Sequence, residues 1–455
     1  MVILDIFIVN VAAPSLRADL GASEADVQWV VAAYLLTYAI SLITGGRLGD
    51  VVGRRRMFRI GVAGFTAASA LCAAAPSTGA LIAGRLLQGF AGAAMWPQVL
   101  SIIQVELAAH ERPRAFGLQG LVQGLAAIAG QIVGGGLIAL DVLGLGWRSV
   151  FLINIPVGIV ALLAAGRVIP ESRSETARRL DFLGVGLATL VLALIMIPTV
   201  EGRELGWPLW GFVALAAAAP TAALFVAAER RIAARGGSPL AELRLFEARG
   251  FRVGVLSAVV LYGVIAFFLL LSIYLQEGLG LSAIDSGLAF TPLAVAFVAG
   301  SLGGPRMSEG VREHLPQIGA TIAALSLLAT ILVVERSARG SFSPLLIVAI
   351  IPFGGGMGLA VPTLINLVLR TVPAGDAGAA SGMLVTAQQV GNALGVAIVG
   401  TIFFAELGSG SGGLAYGDAF AVAIGVQAVL ALSAAALVSR AREPAPRAVP
   451  AGERA

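Results

Sequence analysis

Two ionisable residues stand where charge is expensive. Asp5 and Arg85 each fall well inside a long apolar run, and a charged side chain in a membrane-spanning helix defaults to a functional role because its burial is costly. Desolvation favours the neutral form of a carboxyl group, so an acid in that setting has the chemistry of a proton carrier. An arginine keeps its charge, but it can pair with such an acid and release it. In Arg85-Leu86-Leu87-Gln88-Gly89-Phe90-Ala91-Gly92 the helical period puts Arg85, Gln88, Gly89 and Gly92 on one face. A fixed tie between helices is the alternative role for Arg85.

The densest signal is Gly45-Gly46-Arg47-Leu48-Gly49-Asp50-Val51-Val52-Gly53-Arg54-Arg55-Arg56. Glycine permits backbone geometries closed to other residues, so Gly46, Asp50 and Gly53 read as a tight turn between helices. Arg47 and Arg54 are placed to make and break ion pairs as those helices shift. Asp50 is expected near the N-terminus of the following helix, where the helix dipole favours a carboxylate. A positively charged anchor would explain the arginines but not the glycine–acid–glycine spacing. A further stripe, Gly130, Gly134 and Gly135, lets backbones approach closely. Polar or aromatic groups set in apolar runs are candidates for a substrate cavity: Asn10, Gln28, Tyr34, Gln88, Gln123, Gln276, Asn366, Gln389 and Asn392. Interhelical glue is the alternative for each.

The elements that must hold these residues are membrane helices. The 455 residues are 58% hydrophobic and 12% charged, about half the charge of a water-facing domain. Fourteen apolar windows lie between residues 1 and 439, each close to the roughly 20 residues a span needs. Setting Arg85 aside, 24 of the other 29 arginines fall in one set of alternate loops or the C-terminal tail, and five in the other set. The arginine-rich side is expected to be cytoplasmic, with both termini there. All 30 basic residues are arginine. The missing lysine excludes a G-x-x-x-x-G-K phosphate loop and Schiff-base chemistry, and argues against ATP as fuel. One cysteine and two histidines leave no internal disulfide and no Cys/His metal site. No nucleophile-plus-base set supports an enzyme.

Residues 1–167 read as a six-helix bundle whose first helix is truncated, and 252–440 as a second six-helix bundle. Residues 168–251 supply two additional helices with cytoplasmic linkers, and 441–455 a disordered cytoplasmic tail. The halves share decayed similarity. Gly46 to Arg54 is matched in order by Gly304-Pro305-Arg306-Met307-Ser308-Glu309-Gly310-Val311-Arg312, and the Gly/Gln-rich fifth helix by Gln388, Gln389, Gly391, Asn392, Gly395 and Gly400. Such repeats with interrupted helices mark a transporter's moving interface.

The 46–56 segment resembles the loop motif of the major facilitator superfamily. Three more stretches are similar to its fourteen-helix drug:proton antiporter branch: Leu4-Asp5-Ile6-Phe7-Ile8-Val9-Asn10-Val11-Ala12-Ala13-Pro14, Trp147 to Gly158, and Tyr274-Leu275-Gln276 with Gly287, Leu288 and Pro292. The resemblance implies an all-α polytopic membrane protein of two six-helix bundles plus two central helices. It also implies proton-coupled efflux of lipophilic drugs or toxic metabolites across the bacterial inner (cytoplasmic) membrane by alternating access. Asp5 and Arg85 would couple the proton, and Gly46 to Arg54 would form the cytoplasmic gate. Two departures stand out. The proline expected after Gly130 is replaced by Gln131, and Phe7 replaces a threonine. Loss of the proline favours the alternative, a carrier for a specific nutrient or lipid-like solute, including uptake. The expected partners are protons, membrane lipids and lipophilic neutral or monocationic small molecules, with no nucleic acid, no cofactor, no metal and a monomeric state. With Asp285 near the outer end of its helix, dications should be poor substrates.

Overall fold

The computed structural model describes residues 1–440 apart from 23, 142–143, 175–180, 203–204, 238, 282, 338–341, 371, 409 and 411. At 7, 10, 11, 13, 14, 24, 25, 27, 28, 127, 128, 131, 132, 135, 139, 199–201, 283 and 284 it describes the backbone alone. Among these residues every regular element is helical. The long segments are α1 (Val2–Leu20), α2 (Glu24–Val52), α3 (Arg54–Ala73), α4 (Thr78–Glu106), α5 (Arg112–Ala139), α6 (Gly146–Val168), α7 (Phe182–Glu201) and α8 (Leu209–Ala234). They continue with α9 (Arg249–Gly278), α10 (Ala283–Gly303), α11 (Leu315–Arg336), α12 (Pro344–Leu369), α13 (Ala377–Leu407) and α14 (Gly412–Arg440). Among the described residues ten helices are long and apolar enough to cross a membrane. In hydrocarbon a helix satisfies its own backbone donors and acceptors, which is why apolar runs of this length take this form. Leu71, Leu87, Phe90, Val160 and Leu163 point outward and exposed, as a lipid-facing surface requires.

In the first bundle α2 and α3 both pack on α4, α3 also meets α6, and α1 lies along α5. In the second, α12 holds α10 and α11, α14 holds α11, and α13 packs on α9 and α14. The bundles meet along two seams, α2 against α13 and α5 against α10. The remaining pair is asymmetric. On α7, Gly184, Ala188, Leu192 and Met196 fall on one face at four-residue spacing and are buried, whereas Phe182, Leu183 and Leu190 are exposed. That face packs on α2, α13 and α8, so α7 roofs the α2–α13 seam. The outer helix α8 leaves Leu209, Trp210, Phe212, Val213 and Leu224 exposed.

One sequence expectation changes here. The second helix does not stop before Asp50; α2 runs to Val52, and Gly53 alone joins it to α3. Gly53 has φ +113°, a conformation that favours glycine. Asp50 therefore sits in the last turn of α2, the end its dipole disfavours for a carboxylate, and its stabilisation must come from elsewhere. The corresponding second-half stretch folds differently, into short helical turns at Gly304–Arg306 and Glu309–Arg312.

Candidate functional site

Asp5 and Arg85 meet. Arg85 Nη1 donates to Asp5 Oδ2 across α4 and α1, and both side chains are buried. Three more helices of the bundle complete the arrangement, together with Gln88 of α4. Asn154 of α6 donates to Asp5 Oδ1 at 3.1 Å, and Gln88 of α4 donates to the same oxygen at 3.3 Å. Gln88 also donates to Ser69 Oγ of α3 at 2.8 Å and accepts from Arg85 at 2.8 Å. Arg85 Nε donates to the Val30 carbonyl of α2 at 2.9 Å, and its guanidinium lies 4.3 Å from the centre of the Tyr34 ring. A buried ion pair costs desolvation and is secure only when its remaining donors and acceptors are satisfied. Here side chains and backbone of α2, α3, α4 and α6 supply those partners, and a proton arriving on Asp5 would leave Arg85 with Val30, Gln88 and the Tyr34 face.

This network lies in the half of the bundle away from the arginine-rich end. It reaches α5 through α1, because Gly134 packs directly on Ile8 and any larger residue there would collide with that side chain. Gly130 is buried on the same helix. At Gln131 and Gly135 only the backbone is described, so the contacts of Gly135 fall outside the described residues.

The second cluster is at the arginine-rich end of the α2–α13 seam. Asp50 is wholly buried and accepts the backbone N–H groups of Gly378 at 3.0 Å and Ala379 at 2.9 Å. These are in the first turn of α13. A carboxylate from the first bundle thus caps a helix of the second, favoured by both the free donors and the dipole there. Arg54 pairs with Asp50 at 2.7 Å and also donates to the Ala374 carbonyl at 2.9 Å. Gly46 must be glycine because a Cβ there would overlap the Gly378 carbonyl oxygen. Ser101 of α4 donates to the Ala377 carbonyl at 3.2 Å, and Gln104 donates to the Leu369 carbonyl. On the other seam Gly117, Gly120 and Gly124 of α5 pack on Phe297, Ser301, Pro305 and Pro362. These close approaches all lie in the arginine-rich half, so that end is shut.

Both linkers around the α7–α8 pair dock on this cluster. Ser172 O accepts the Arg54 N–H at 2.8 Å, and Glu171 accepts the Arg55 N–H at 3.1 Å. From the second linker, Glu242 lies 3.9 Å from buried Arg47 and 3.3 Å from Arg244, and Arg244 reaches Asp376 at 3.0 Å. Burial, and then the charge of Asp376, push Glu242 above the usual carboxylate range against the pull of Arg244 and Arg47.

The proposed cavity residues do not gather into one group. Tyr34 and Gln88 belong to the Asp5 network and are fully buried. Gln276 is exposed and donates to Ser272 Oγ at 2.8 Å. Gln123, Asn366, Gln389 and Asn392 are half-buried on α5, α12 and α13. Asn10 and Gln28 lie outside the described side chains. Sequence reasoning assigned no role to Asn154, Ser69, Ser101, Gln104 or Glu242. Only Asn154 carried a signal, as the one polar side chain in the middle of Phe151-Leu152-Ile153-Asn154-Ile155-Pro156.

The sequence profile of the Major Facilitator Superfamily matches residues 1–396. Among similar proteins, the "Probable actinorhodin transporter" of Streptomyces coelicolor is 42% identical over 411 residues, covering 90% of this chain and 71% of that protein. The "Tetracenomycin C resistance and export protein" of Streptomyces glaucescens is 33% identical over 90% of this chain and 74% of its own length. The "Multidrug resistance protein Stp" of Mycobacterium tuberculosis is 32% identical over the same shares. Among solved structures, the human organic anion transporter MFSD10 (TETRAN) aligns with a TM-score of 0.66 at 16% identity, covering 96% of each chain. The proton:xylose symporter XylE gives 0.66 at 15% identity over 95% of this chain and 92% of that one. At such identities these two likenesses speak for the fold.

Proposed function

Because the chain belongs to the Major Facilitator Superfamily, we propose that it is a proton-coupled exporter of its fourteen-helix drug:proton antiporter branch. It moves lipophilic neutral or monocationic compounds, antibiotics or toxic metabolites, out of the bacterial cytosol by alternating access. The arginine-rich end faces the cytoplasm, in accord with the positive-inside rule, and the structure stands with its cytoplasmic gate shut. Relatives named for antibiotic export and resistance support the substrate class. The observation that carries proton coupling is the enclosed Asp5–Arg85 pair.

In this reading a proton on Asp5 cancels the charge that holds Arg85, and α1 loses its strongest tie to α4. The α1–α5 contact at Gly134 carries the change to α5, which forms one of the two seams. A cationic substrate and a proton compete to neutralise the same acid, and that competition is antiport. Asp285 is exposed in the first turn of α10, too far from the bundle interior to serve a second cationic centre, so dications are poorly exported. The energy comes from the proton gradient, without ATP.

The test uses everted membrane vesicles with an imposed proton gradient. Dye or drug should accumulate in their lumen, collapse on adding an uncoupler, and fail to accumulate with Asp5→Asn. Accumulation that ignores the gradient, or survives Asp5→Asn, overturns proton coupling. A helix α5 without an internal proline favours uptake as the second reading. Substrate accumulation by right-side-out vesicles would establish it.

A further inference from the structure

Outside the Asp5 network the structure brings two acids together, one buried and one half-buried. Glu229, near the arginine-rich end of α8, is completely buried, and Asp181 is the N-cap of α7. Asp181 Oδ1 accepts the Gly184 N–H at 2.9 Å, and Glu229 Oε2 accepts the Ala241 N–H at 2.8 Å. The other two oxygens, Asp181 Oδ2 and Glu229 Oε1, are buried and have no hydrogen-bond partner among the described residues. Both converge on the point a Cβ of Gly184 would occupy, 2.4 and 2.3 Å from it, which puts them within about 5 Å of each other. Two ionised carboxylates so placed would present acceptors only, with like charges in contact and their desolvation uncompensated. One proton removes the conflict, with a Glu229 carboxylic acid donating to an Asp181 carboxylate.

Among the described residues the surrounding charges do not supply another solution. From the described residues of the packed elements these are Arg47 of α2, Glu242 and Arg244 of the linker, and Arg230 and Arg231 beside Glu229 on α8. Arg47 and Arg244 are engaged by Glu242 and Asp376, and Arg230 and Arg231 are exposed. The other oxygen of Asp181 already accepts the Gly184 N–H at the start of α7, where the dipole favours the anionic partner of such a pair. The proton therefore belongs on Glu229.

We propose that Glu229 and Asp181 form a second proton-binding site, in which the shared proton latches the 240–244 segment onto the gate. Glu229 holds Ala241, and the next residue, Glu242, faces Arg47 while Arg244 grips Asp376 at the start of α13. Loss of the proton leaves two negative charges in contact. The pair separates, Ala241 is released, and the bracket across the seam loosens. The proton site stands on its own geometry. Its effect on the gate rests on the alternating-access reading.

Infrared difference spectroscopy of the purified full-length protein, titrated with pH, tests the site directly. A carboxylic-acid C=O band should disappear as pH rises, be missing from Glu229→Gln, and titrate at lower pH in Asp181→Asn. The latch is read by maleimide labelling of Ser101→Cys, with rates referenced to a free thiol peptide. Labelling should accelerate over the pH range in which the band is lost, and that acceleration should vanish in Glu229→Gln. A band that persists in Glu229→Gln, or labelling that keeps its acceleration there, overturns the proposal. If Glu229→Gln does not fold, an unmoved band in Asp181→Asn overturns it equally. Because neither readout needs transport, failure here is distinguishable from failure of the export assignment.

Discussion

Replacing Asp50 by asparagine should open the cytoplasmic gate. In the shut state the carboxylate accepts two backbone N–H groups of α13 and pairs with Arg54, and both side chains are almost wholly excluded from solvent. Asparagine keeps the shape, but its single carbonyl oxygen can serve one donor well, and its amide group faces the other. Arg54 is left buried with the Ala374 carbonyl alone. Removing one partner of a buried pair costs about 3–5 kcal/mol. Opening the gate lets Arg54 reach water, so this cost falls on the shut state. Taking about 3 kcal/mol, with a factor of ten for each 1.4 kcal/mol, the equilibrium shifts roughly a hundredfold toward the open gate. Ser101→Cys is the reporter, since Ser101 is buried at the seam and the native Cys72 is also buried. Maleimide should label it roughly a hundredfold faster in the Asp50→Asn background. Labelling within threefold of the parent would refute the idea that the α13 cap holds the gate.

Gly46→Val should act at the same seam, one turn away on α2, since its side chain would overlap the Gly378 carbonyl oxygen; the same labelling should rise while substrate binding from the outside weakens. Arg85→Lys should abolish gradient-driven transport despite keeping the charge, because an ammonium cannot reproduce the donors to Asp5, Gln88 and Val30 or the stacking on Tyr34. Transport above about a tenth of the parent rate would count against that geometry. Glu242 is pushed above its ordinary value of 4.5 in the shut gate, so the shut state binds its proton more tightly than the open one. Its contribution is present below that value and is lost as pH rises through the elevated one. Glu242→Gln should flatten the Ser101→Cys labelling profile in that acidic window, and an unchanged slope there would exclude it.

What the sequence discloses and what it hides follow from range. Asp5 and Arg85 declare themselves because a charge in an apolar run has no inexpensive explanation, and the period of a helix places Gln88 beside Arg85. Their pairing joins α1 to α4, which no local pattern specifies. Asp50 stands out in the sequence by its glycine spacing, but its carboxylate is met by two backbone N–H groups 328 and 329 residues away. Backbone donors leave no trace in residue type, so the nearer helix, α3, was the natural and mistaken choice. Glu229 and Asp181 were invisible for another reason. Each lies at the edge of an apolar window, where an acid usually faces water, and only the fold of the extra helices turns both inward. The cavity residues fared worst, because polarity inside a span marks a bundle interior without saying whether the group faces a void or a neighbouring helix.

The placement of α7 also bears on how an oily molecule reaches the protein. Compounds that partition into the bilayer arrive sideways, between helices, as readily as from the water on either face. The two seams offer them different doors. At α2–α13 the Gly184, Ala188, Leu192 and Met196 face of α7 is already seated, whereas at α5–α10 the outward-facing Val122 and Leu125 of α5 stand open to lipid. On the export reading proposed above, compounds arriving from the inner leaflet would therefore enter by parting α5 from α10, the seam to which α1 is joined through Gly134.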